Sequence, residues 1–342
     1  MIRTRALITL LGLVAGRLLC AQDIHFSQYF NTPHALNPAT TGVFNGDYRL
    51  GAAFRQQWRS VTVPYRTFGF GGDMARVAGI PQLSGGLWVF NDRAGDSRLN
   101  TFHASVSTAW NQLLDQRKGQ RVSVGMRIGF TSLSIDYSAL RYDAQYNGFY
   151  YDPSLSNNET FVRDAFTHVD VHAGALFRQA PVRAGSYAER ELLEFGVALF
   201  NITKPDVAFN GERSALNGRG VLHVITRFPV SAKLDVQPMA HYMAQGPFQE
   251  FDIGGNLRYI LLDRYSMLRT LQAGLHWRAR DAGQLFVGSE YDDWTVGISY
   301  DINLSDLVPA SRNRGGIEIT AVRVFRKKPF VPARFKACPT QL

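Results

Sequence analysis

The sequence predicts an all-β protein, a transmembrane antiparallel β-barrel of about 14 strands. Three observations lead to this prediction: side chains alternate strictly along many segments, the segments are long, and aromatic residues gather near their ends. The clearest segment is WTVGISYDINL, residues 294–304, whose alternate positions are large and apolar while the intervening ones are small or polar. Such period-two alternation is typical of a strand with two unlike faces.

Strand-like segments recur along the chain, and no long amphipathic helical pattern interrupts them. Soluble strands usually have about five or six residues, whereas a tilted membrane strand needs about nine to eleven, which is the length seen here. Together the segments place a single barrel domain at residues 47–326. The predicted strands cover 47–57, 65–76, 82–91, 99–112, 120–135, 166–178, 191–201, 219–228, 231–244, 249–261, 268–279, 283–290, 293–303 and 315–326.

Aromatic residues near the strand ends indicate the two interfaces of a membrane. A soluble β-sandwich also alternates, with its apolar face turned to a core, but long regular strands and end-located aromatics favour the barrel. We therefore expect the apolar rows to meet lipid and the polar rows to line a lumen. The aromatic residues in question are Trp58, Tyr65, Trp110, Tyr259, Trp277, Tyr291, Trp294 and Phe325.

The connectors give partial support to a barrel with both ends of the chain in the periplasm, where outward loops should be the longer ones. The three largest outward connectors are 136–165, 202–218 and 304–314. Two further outward connectors, near 245–248 and 280–282, are short, and one inward connector, near 179–190, is longer than expected.

The predicted lumen carries charged and imidazole side chains, which we interpret as a polar interior of paired charges. A conduction path or a catalytic cluster is the sharper alternative, and activity that is abolished by alanine at His103 or His172 would favour a barrel hydrolase. No GxSxG or HExxH motif, no P-loop and no metal-ligand spacing occurs, so we expect no cofactor and no metal. The residues predicted to face the lumen are Arg127, Arg258, Arg278, Asp170, Asp252, Asp301, Glu194, His103 and His172.

The amino terminus predicts export. Residues 1–21 have a charged start, a short apolar core and a cleavage site after Ala21, typical of a signal peptide. Removing them takes away three arginines and no acid, so the formal charge falls from +9 to +6. The positive charge is diffuse, so we expect no nucleic-acid partner. Residues 22–46 hold more aromatics than a disordered leader should, which predicts a candidate plug in the lumen.

The carboxy-terminal tail, 327–342, is basic and follows a last strand that ends at an aromatic residue. A solvated flexible end is one interpretation. Docking to an acidic periplasmic partner is the other. Cys338 is the single cysteine that remains after the signal is removed, so no disulfide within the chain is expected. The candidate docking residues are Arg326, Lys327, Lys328, Arg334, Lys336 and Cys338.

Both ends of the chain resemble signatures of the PorP/SprF family. HFSQYFNTPHALNPATTG, residues 25–42, resembles the amino-terminal signature, and GISYDINLSDLVPASRNRGGIEITAVRVF, residues 297–325, resembles the carboxy-terminal one. RQQWRSV, residues 55–61, is similar to the first strand and its turn. The family-motif positions are Asn37, Pro38, Gly42, Trp58, Ser299, Tyr300, Asp301, Asn303, Gly315 and Gly316.

The resemblance implies a non-enzymatic outer-membrane barrel of the type IX secretion system of Bacteroidota, supporting secretion, surface attachment or gliding motility. It implies other system components as partners, namely periplasmic ring lipoproteins, a peptidoglycan-binding protein and secreted adhesin-like cargo, in addition to outer-membrane lipid. Thr40 and Thr41 and the final Cys-Pro-Thr-Gln-Leu depart from the pattern, so cargo and partner stay open. A FadL-like or porin-like transporter is the alternative, because such barrels have the same architecture.

Overall fold

A computed structural model of the chain describes residues 24–59, 63–159, 162–181, 188–209, 211, 213–264, 267–305 and 308–326. The predicted signal peptide and the tail 327–342 lie outside these residues. Within them, no helix has the length and apolar character required to span a membrane. The strands are β1 (Tyr48–Gln57), β2 (Tyr65–Met74), β3 (Leu83–Ala94), β4 (Leu99–Asp115), β5 (Gln120–Ser134), β6 (Ala165–Gln179), β7 (Leu192–Phe200), β8 (Arg219–Pro229), β9 (Leu234–Gln245), β10 (Phe248–Arg264), β11 (Met267–Arg278), β12 (Ala282–Tyr291), β13 (Trp294–Asn303) and β14 (Arg314–Phe325).

These fourteen strands form one closed antiparallel barrel, which confirms the predicted fold. Each strand pairs with its neighbours in the chain, and β1 closes the sheet on β14 with Tyr48 opposite Phe325 and Gln57 opposite Gly316. Closure pairs the edge strands that would otherwise expose backbone groups to hydrocarbon. Each predicted strand corresponds to an observed one, with ends that differ by a few residues.

Three strands, β3, β4 and β10, end three residues later than predicted, and two of them contain an irregularity near that end. In β4 the register shifts between Leu113 and Asp115, and in β10 it shifts between Ile260 and Leu262. Leu114 and Leu261 are the extra residues, and both are exposed. A bulge breaks period-two alternation, so the pattern fades before the strand ends.

Alternate residues of the strands meet different media, as the fold prediction requires. In β13, Val296 is 45% exposed and Ile298 54%, whereas Ser299 is 2% exposed and Asp301 4%. The exposed apolar rows form the outer surface of the barrel and the buried polar rows line the lumen. All nine residues predicted to face the lumen are buried.

We define two ends of the barrel. The terminus end holds Tyr48 and Phe325, and the loop end holds every connector from an odd to an even strand. The long connectors 135–164, 201–218 and 304–313 are at the loop end, and α2 (Val308–Ser311) lies in the last of them. The loop-end half of β6, residues 165–172, does not pair with β7. Connector 201–218 covers it, and the Ile202 N–H donates to the Val171 carbonyl at 3.0 Å.

Candidate functional site

The candidate functional site is the lumen with the segment that lies in it. We call residues 24–43 the lumen segment. It contains a 3₁₀ turn at Tyr29–Asn31, the short helix α1 (Pro33–Leu36) and a second 3₁₀ turn at Pro38–Thr40. Proline stands at the first position of both α1 and the second turn, where its missing N–H costs nothing. Asn37 caps the second turn, since its Oδ1 accepts from the Ala39 N–H at 2.8 Å.

At the loop end, the backbone of the lumen segment is held by a carboxylate of β14. The N–H groups of Ser27 and Gln28 donate to the two oxygens of Glu318 at 2.7 and 2.8 Å. The Gln28 side chain continues along the wall, donating to the Ser299 hydroxyl at 3.1 Å and accepting from the Thr320 hydroxyl at 2.6 Å. These contacts fix the segment against β13 and β14.

Four buried charges surround that attachment, and we call them the loop-end cluster: Arg55, Arg278, Asp301 and Glu318. Arg55 Nη2 and Arg278 Nη2 lie 3.1 and 3.4 Å from Asp301 Oδ2. The Ser27 hydroxyl donates to both Asp301 oxygens at 2.8 and 2.9 Å, and Arg278 Nη2 donates to Ser27 Oγ at 2.9 Å. Burying ions is costly unless they are paired and hydrogen-bonded, and here the lumen segment supplies part of that pairing.

In the middle of the barrel, Asn37 bonds to the wall between two strands. Its Nδ2 donates to the carbonyls of Ala175 in β6 and Val197 in β7, at 3.2 and 3.1 Å. Two inward-facing glycines flank it, and a Cβ at Gly174 or Gly196 would collide with the Asn37 amide. Asn37 is fully buried, so all these hydrogen bonds form away from solvent.

Toward the terminus end, Asp73 of β2 binds the last part of the lumen segment. It accepts from the Gly42 N–H at 2.7 Å, from Arg49 Nε at 2.9 Å and Nη2 at 2.7 Å, and its Oδ1 lies 2.9 Å from His34 Nε2. Gly42 has a φ of 73°, and a Cβ there would collide with Ser84. Glycine is therefore required where the segment turns toward β1.

Apolar and aromatic contacts cover the remaining surface of the segment. Tyr29 stacks on His241 with ring centroids 5.0 Å apart, and Phe30 stacks on His276 at 5.5 Å. Tyr29 and Leu36 join inward-facing apolar residues of β7–β9 in one cluster, which includes Val221, Ile225, Met239 and Met243. The aromatics that set this segment apart in the sequence are packed against the wall.

The family-motif positions fall into two groups that the fold brings together. Asn37, Pro38 and Gly42 lie in the lumen segment, and Ser299, Asp301 and Asn303 point inward from β13, where Ser299 and Asp301 contact the segment. Asn303 instead bonds to connector 304–313: its Nδ2 donates to the Ser311 hydroxyl at 2.8 Å. Tyr300 points outward. Gly315 and Gly316 lie at the start of β14, and Trp58 packs edge-on against Tyr65 with centroids 4.8 Å apart.

Among the site residues that sequence reasoning missed are three charged ones: Arg55, Asp73 and Glu318. Each lies at an inward position of its strand, where a charged side chain points into the lumen, and that placement was the available signal.

A second set of buried charges lies nearer the terminus end of β6–β12. Arg258 joins two strands, with Nη1 2.7 Å from Asp235 Oδ2 and Nη2 2.6 Å from Glu290 Oε2. Arg178 Nη1 lies 2.7 Å from Glu194 Oε2. These pairs link strands within the lumen wall, as expected for a polar interior of paired charges.

The two histidines of the hydrolase alternative have structural partners. His172 Nδ1 accepts from the Asn201 backbone N–H at 3.0 Å. His103 Nδ1 lies 2.8 Å from the Thr131 hydroxyl and 3.8 Å from Asp170 Oδ2, while the Thr131 hydroxyl also donates to Asp170. One histidine nitrogen faces both partners, so the order nucleophile, base and orienting acid is not formed. Among the described residues, no group of three His, Cys, Asp or Glu is placed to hold a metal ion.

Of the candidate docking residues, only Arg326 lies in the described part of the chain. Its Nη1 lies 2.5 Å from Asp293 Oδ1 and its Nε donates to the Asn45 carbonyl at 2.7 Å. Lys327, Lys328, Arg334, Lys336 and Cys338 lie outside the described residues. Docking by the tail therefore stays a prediction.

The connectors at the loop end expose large aromatic side chains. In connector 135–164, Phe149 is 89% exposed and Tyr150 64%. In connector 201–218, Asp206 Oδ1 accepts the Ser214 N–H at 2.8 Å, and this hydrogen bond holds the pKa of the Asp206 carboxyl below its ordinary value. The connectors are thus partly ordered by their own side chains.

Several solved outer-membrane proteins have a similar architecture. The Ralstonia pickettii toluene transporter TbuX is 11% identical, with a TM-score of 0.47 over 86% of this chain and 94% of that chain. A Pseudomonas aeruginosa FadL homologue is 11% identical, with a TM-score of 0.44 over 85% and 93%. No curated protein matches the sequence at a significant level.

The family model described as type IX secretion system membrane protein PorP/SprF matches residues 19–322. The match includes the lumen segment, strands β1–β13 and all but the last three residues of β14. The barrel fold and this secretion-system family together place the protein in the outer membrane. The chain therefore belongs to the PorP/SprF family of type IX secretion system membrane proteins.

Proposed function

We propose that this protein is a non-enzymatic scaffold of the type IX secretion system that couples surface cargo to periplasmic components and does not conduct solutes. One observation carries the proposal: the two family signatures, some 270 residues apart, contact each other inside the lumen through Ser27 and Asp301. The family resemblance therefore coincides with the residues that fill the lumen. A transporter would need that path to be open.

The two ends of the barrel would have separate partners under this proposal. With both barrel termini in the periplasm, connectors 135–164, 201–218 and 304–313 face the cell surface and would meet adhesin-like cargo. The tail 327–342 would meet periplasmic ring lipoproteins or a peptidoglycan-binding protein, because its charge suits an acidic surface.

Co-purification from native membranes after mild crosslinking tests the scaffold role. We expect secretion-system components to be recovered with the full chain. Replacing Lys327, Lys328, Arg334 and Lys336 with glutamine keeps the length of the tail and should reduce recovery of periplasmic components. The same number of glutamines at exposed loop-end arginines serves as the control. Equal recovery of periplasmic components from both variants would remove the tail from the proposal.

Planar-bilayer conductance separates the scaffold from the transporter. The full chain should show no steady conductance, because the lumen segment is bonded to the wall at three levels. A chain that lacks residues 24–41 but keeps the signal should conduct if it folds. Steady conductance or substrate uptake by the unaltered protein would favour the FadL-like or porin-like alternative.

A further inference from the structure

A row of outward-facing arginine and aromatic residues crosses four strands at the terminus end. Arg269 of β11 stands opposite Tyr291 of β12, Tyr291 opposite Trp294 of β13, and Trp294 opposite Arg323 of β14. We call these four residues the rim row. Neighbouring strands lie about 4.8 Å apart, so the Cα atoms of the two arginines are separated by about 14 Å along the rim.

The aromatic rings hold both guanidinium groups in place. The Arg269 guanidinium carbon lies 4.5 Å from the centroid of the Tyr291 ring. The Arg323 guanidinium carbon lies 5.1 Å from the Trp294 ring centroid and 4.5 Å from that of Phe325. Cation–π contact of this kind orients an arginine without neutralising its charge.

Neither arginine of the rim row has an acidic partner among the described residues. The Nε atoms of Arg269 and Arg323 are both enclosed, and neither makes a hydrogen bond there. Of the two acids in the adjacent turn, Asp293 pairs with Arg326, and Asp292 forms no ion pair with either arginine in the described part of the chain. Two unneutralised guanidinium charges therefore remain at the outer surface.

The rim row stands at the boundary of the apolar belt. Two residues further toward the loop end, the outward positions are Leu271, Ser289, Val296 and Ala321, of which Leu271 and Val296 are 53% and 45% exposed. Two residues of a strand span about 7 Å. Acyl chains that cover Leu271 and Val296 would therefore bring the headgroup to which they are joined to the level of the guanidinium groups.

We propose that the rim row binds the phosphate of an anionic phospholipid. Planar guanidinium groups match phosphate oxygens in paired hydrogen bonds, and the exposed rings of Tyr291 and Trp294 suit the interfacial region beside a headgroup. With the orientation proposed above, this lipid belongs to the periplasmic leaflet. That assignment to a leaflet rests on the proposed function, whereas the binding itself does not.

Native mass spectrometry of the purified full-length protein tests the site, with phosphatidylglycerol and phosphatidylcholine added as separate probes. The unaltered protein should retain phosphatidylglycerol in preference to phosphatidylcholine. Arg269→Gln and Arg323→Gln should each lower that preference about fivefold, since a basic residue near a membrane surface contributes about 1 kcal/mol. Arg66→Gln is the matched control, because Arg66 is an exposed arginine at the loop end.

Equal retention of the two lipids would overturn the proposal, and so would an unchanged preference in both single variants. Lipid A that displaces phosphatidylglycerol would also overturn it, by showing a ligand of the other leaflet. Each single variant removes one arginine only, and folding is checked by electrophoretic mobility without heating. The measurement contains no secretion component, so its failure is distinct from failure of the scaffold role.

Discussion

Replacing Asn37 with alanine should release the lumen segment from the barrel wall. The fully buried side chain makes three hydrogen bonds, to the carbonyls of Ala175 and Val197 and from the Ala39 N–H. The two bonds to the wall contribute about 1 kcal/mol each, whereas the bond from Ala39 lies within the segment and persists on detachment, so the variant should lose about 2 kcal/mol of attachment. That loss raises the detached fraction about thirtyfold, because 1.4 kcal/mol corresponds to a factor of ten.

A thiol-labelling rate reports the detached fraction. Phe30→Cys in a Cys338→Ser background places a single thiol on the segment, and the same substitution is present in both proteins that are compared. When opening and closing are fast relative to labelling, the rate is proportional to the open fraction. The Asn37→Ala protein should therefore react with maleimide up to about thirtyfold faster.

Asn91→Ala is the matched control, since the Asn91 amide bonds to Asn100 on the barrel wall at 2.9 Å and does not contact the segment. It should leave the labelling rate unaltered. If Asn37→Ala folds normally and labels at the rate of the control, attachment through Asn37 is wrong. Fast labelling in the unaltered background would contradict the plug altogether.

Two further predictions concern the wall and a loop. Gly174→Ala should also accelerate labelling of the thiol at position 30, because the added Cβ collides with the Asn37 amide. Gly220→Ala is the control, because a Cβ there meets no atom within 4 Å and should leave the labelling rate unchanged. Equal labelling rates in the two variants would show that the barrel wall shifts to accommodate the added Cβ and that the prediction is wrong. The hydrogen bond from the Ser214 N–H lowers the pKa of Asp206 in the folded protein. The stabilisation of connector 201–218 by this bond is therefore complete above about pH 4, the pKa of an aspartate in an unfolded chain, and is lost as the pH falls through the lower pKa of the folded state. Amide exchange at Ser214 should show this loss in the unaltered protein and not in Asp206→Asn, and identical pH profiles would refute it.

The fold was predictable because lipid and lumen impose opposite demands on every strand. In β13 each residue obeys one demand or the other, so its alternation survives in the sequence. Neighbouring strands are also consecutive in the chain, which leaves little freedom once closure is assumed. The same reasoning fails at Leu114 and Leu261, where an extra residue shifts the period and the strand continues beyond the readable pattern.

The partners within the lumen could not be predicted from alternation. Period two tells which face a residue occupies, but the height of that residue in the barrel depends on the stagger between strands. Ser27 and Asp301 both appeared as polar residues of signature segments, and nothing in either segment indicated that they would meet. Glu318 was equally hidden, because its ligands are backbone N–H groups, which carry no sequence signal.

The inward-facing glycines argue that the lumen segment is an integral part of the fold. Glycine weakens a strand interior by about 0.5–1 kcal/mol relative to alanine, so its use on the inner face needs a local cause. At Gly71, Gly125, Gly174 and Gly297 the cause is the same: an added Cβ would collide with a residue of the segment, respectively His34, Pro38, Asn37 and Gln28. These four positions lie on β2, β5, β6 and β13, so the wall is shaped to the segment around much of its circumference. A barrel whose lumen segment was not packed against the wall would not need glycine at these positions. Detachment of the segment should therefore lower the stability of the barrel wall as well.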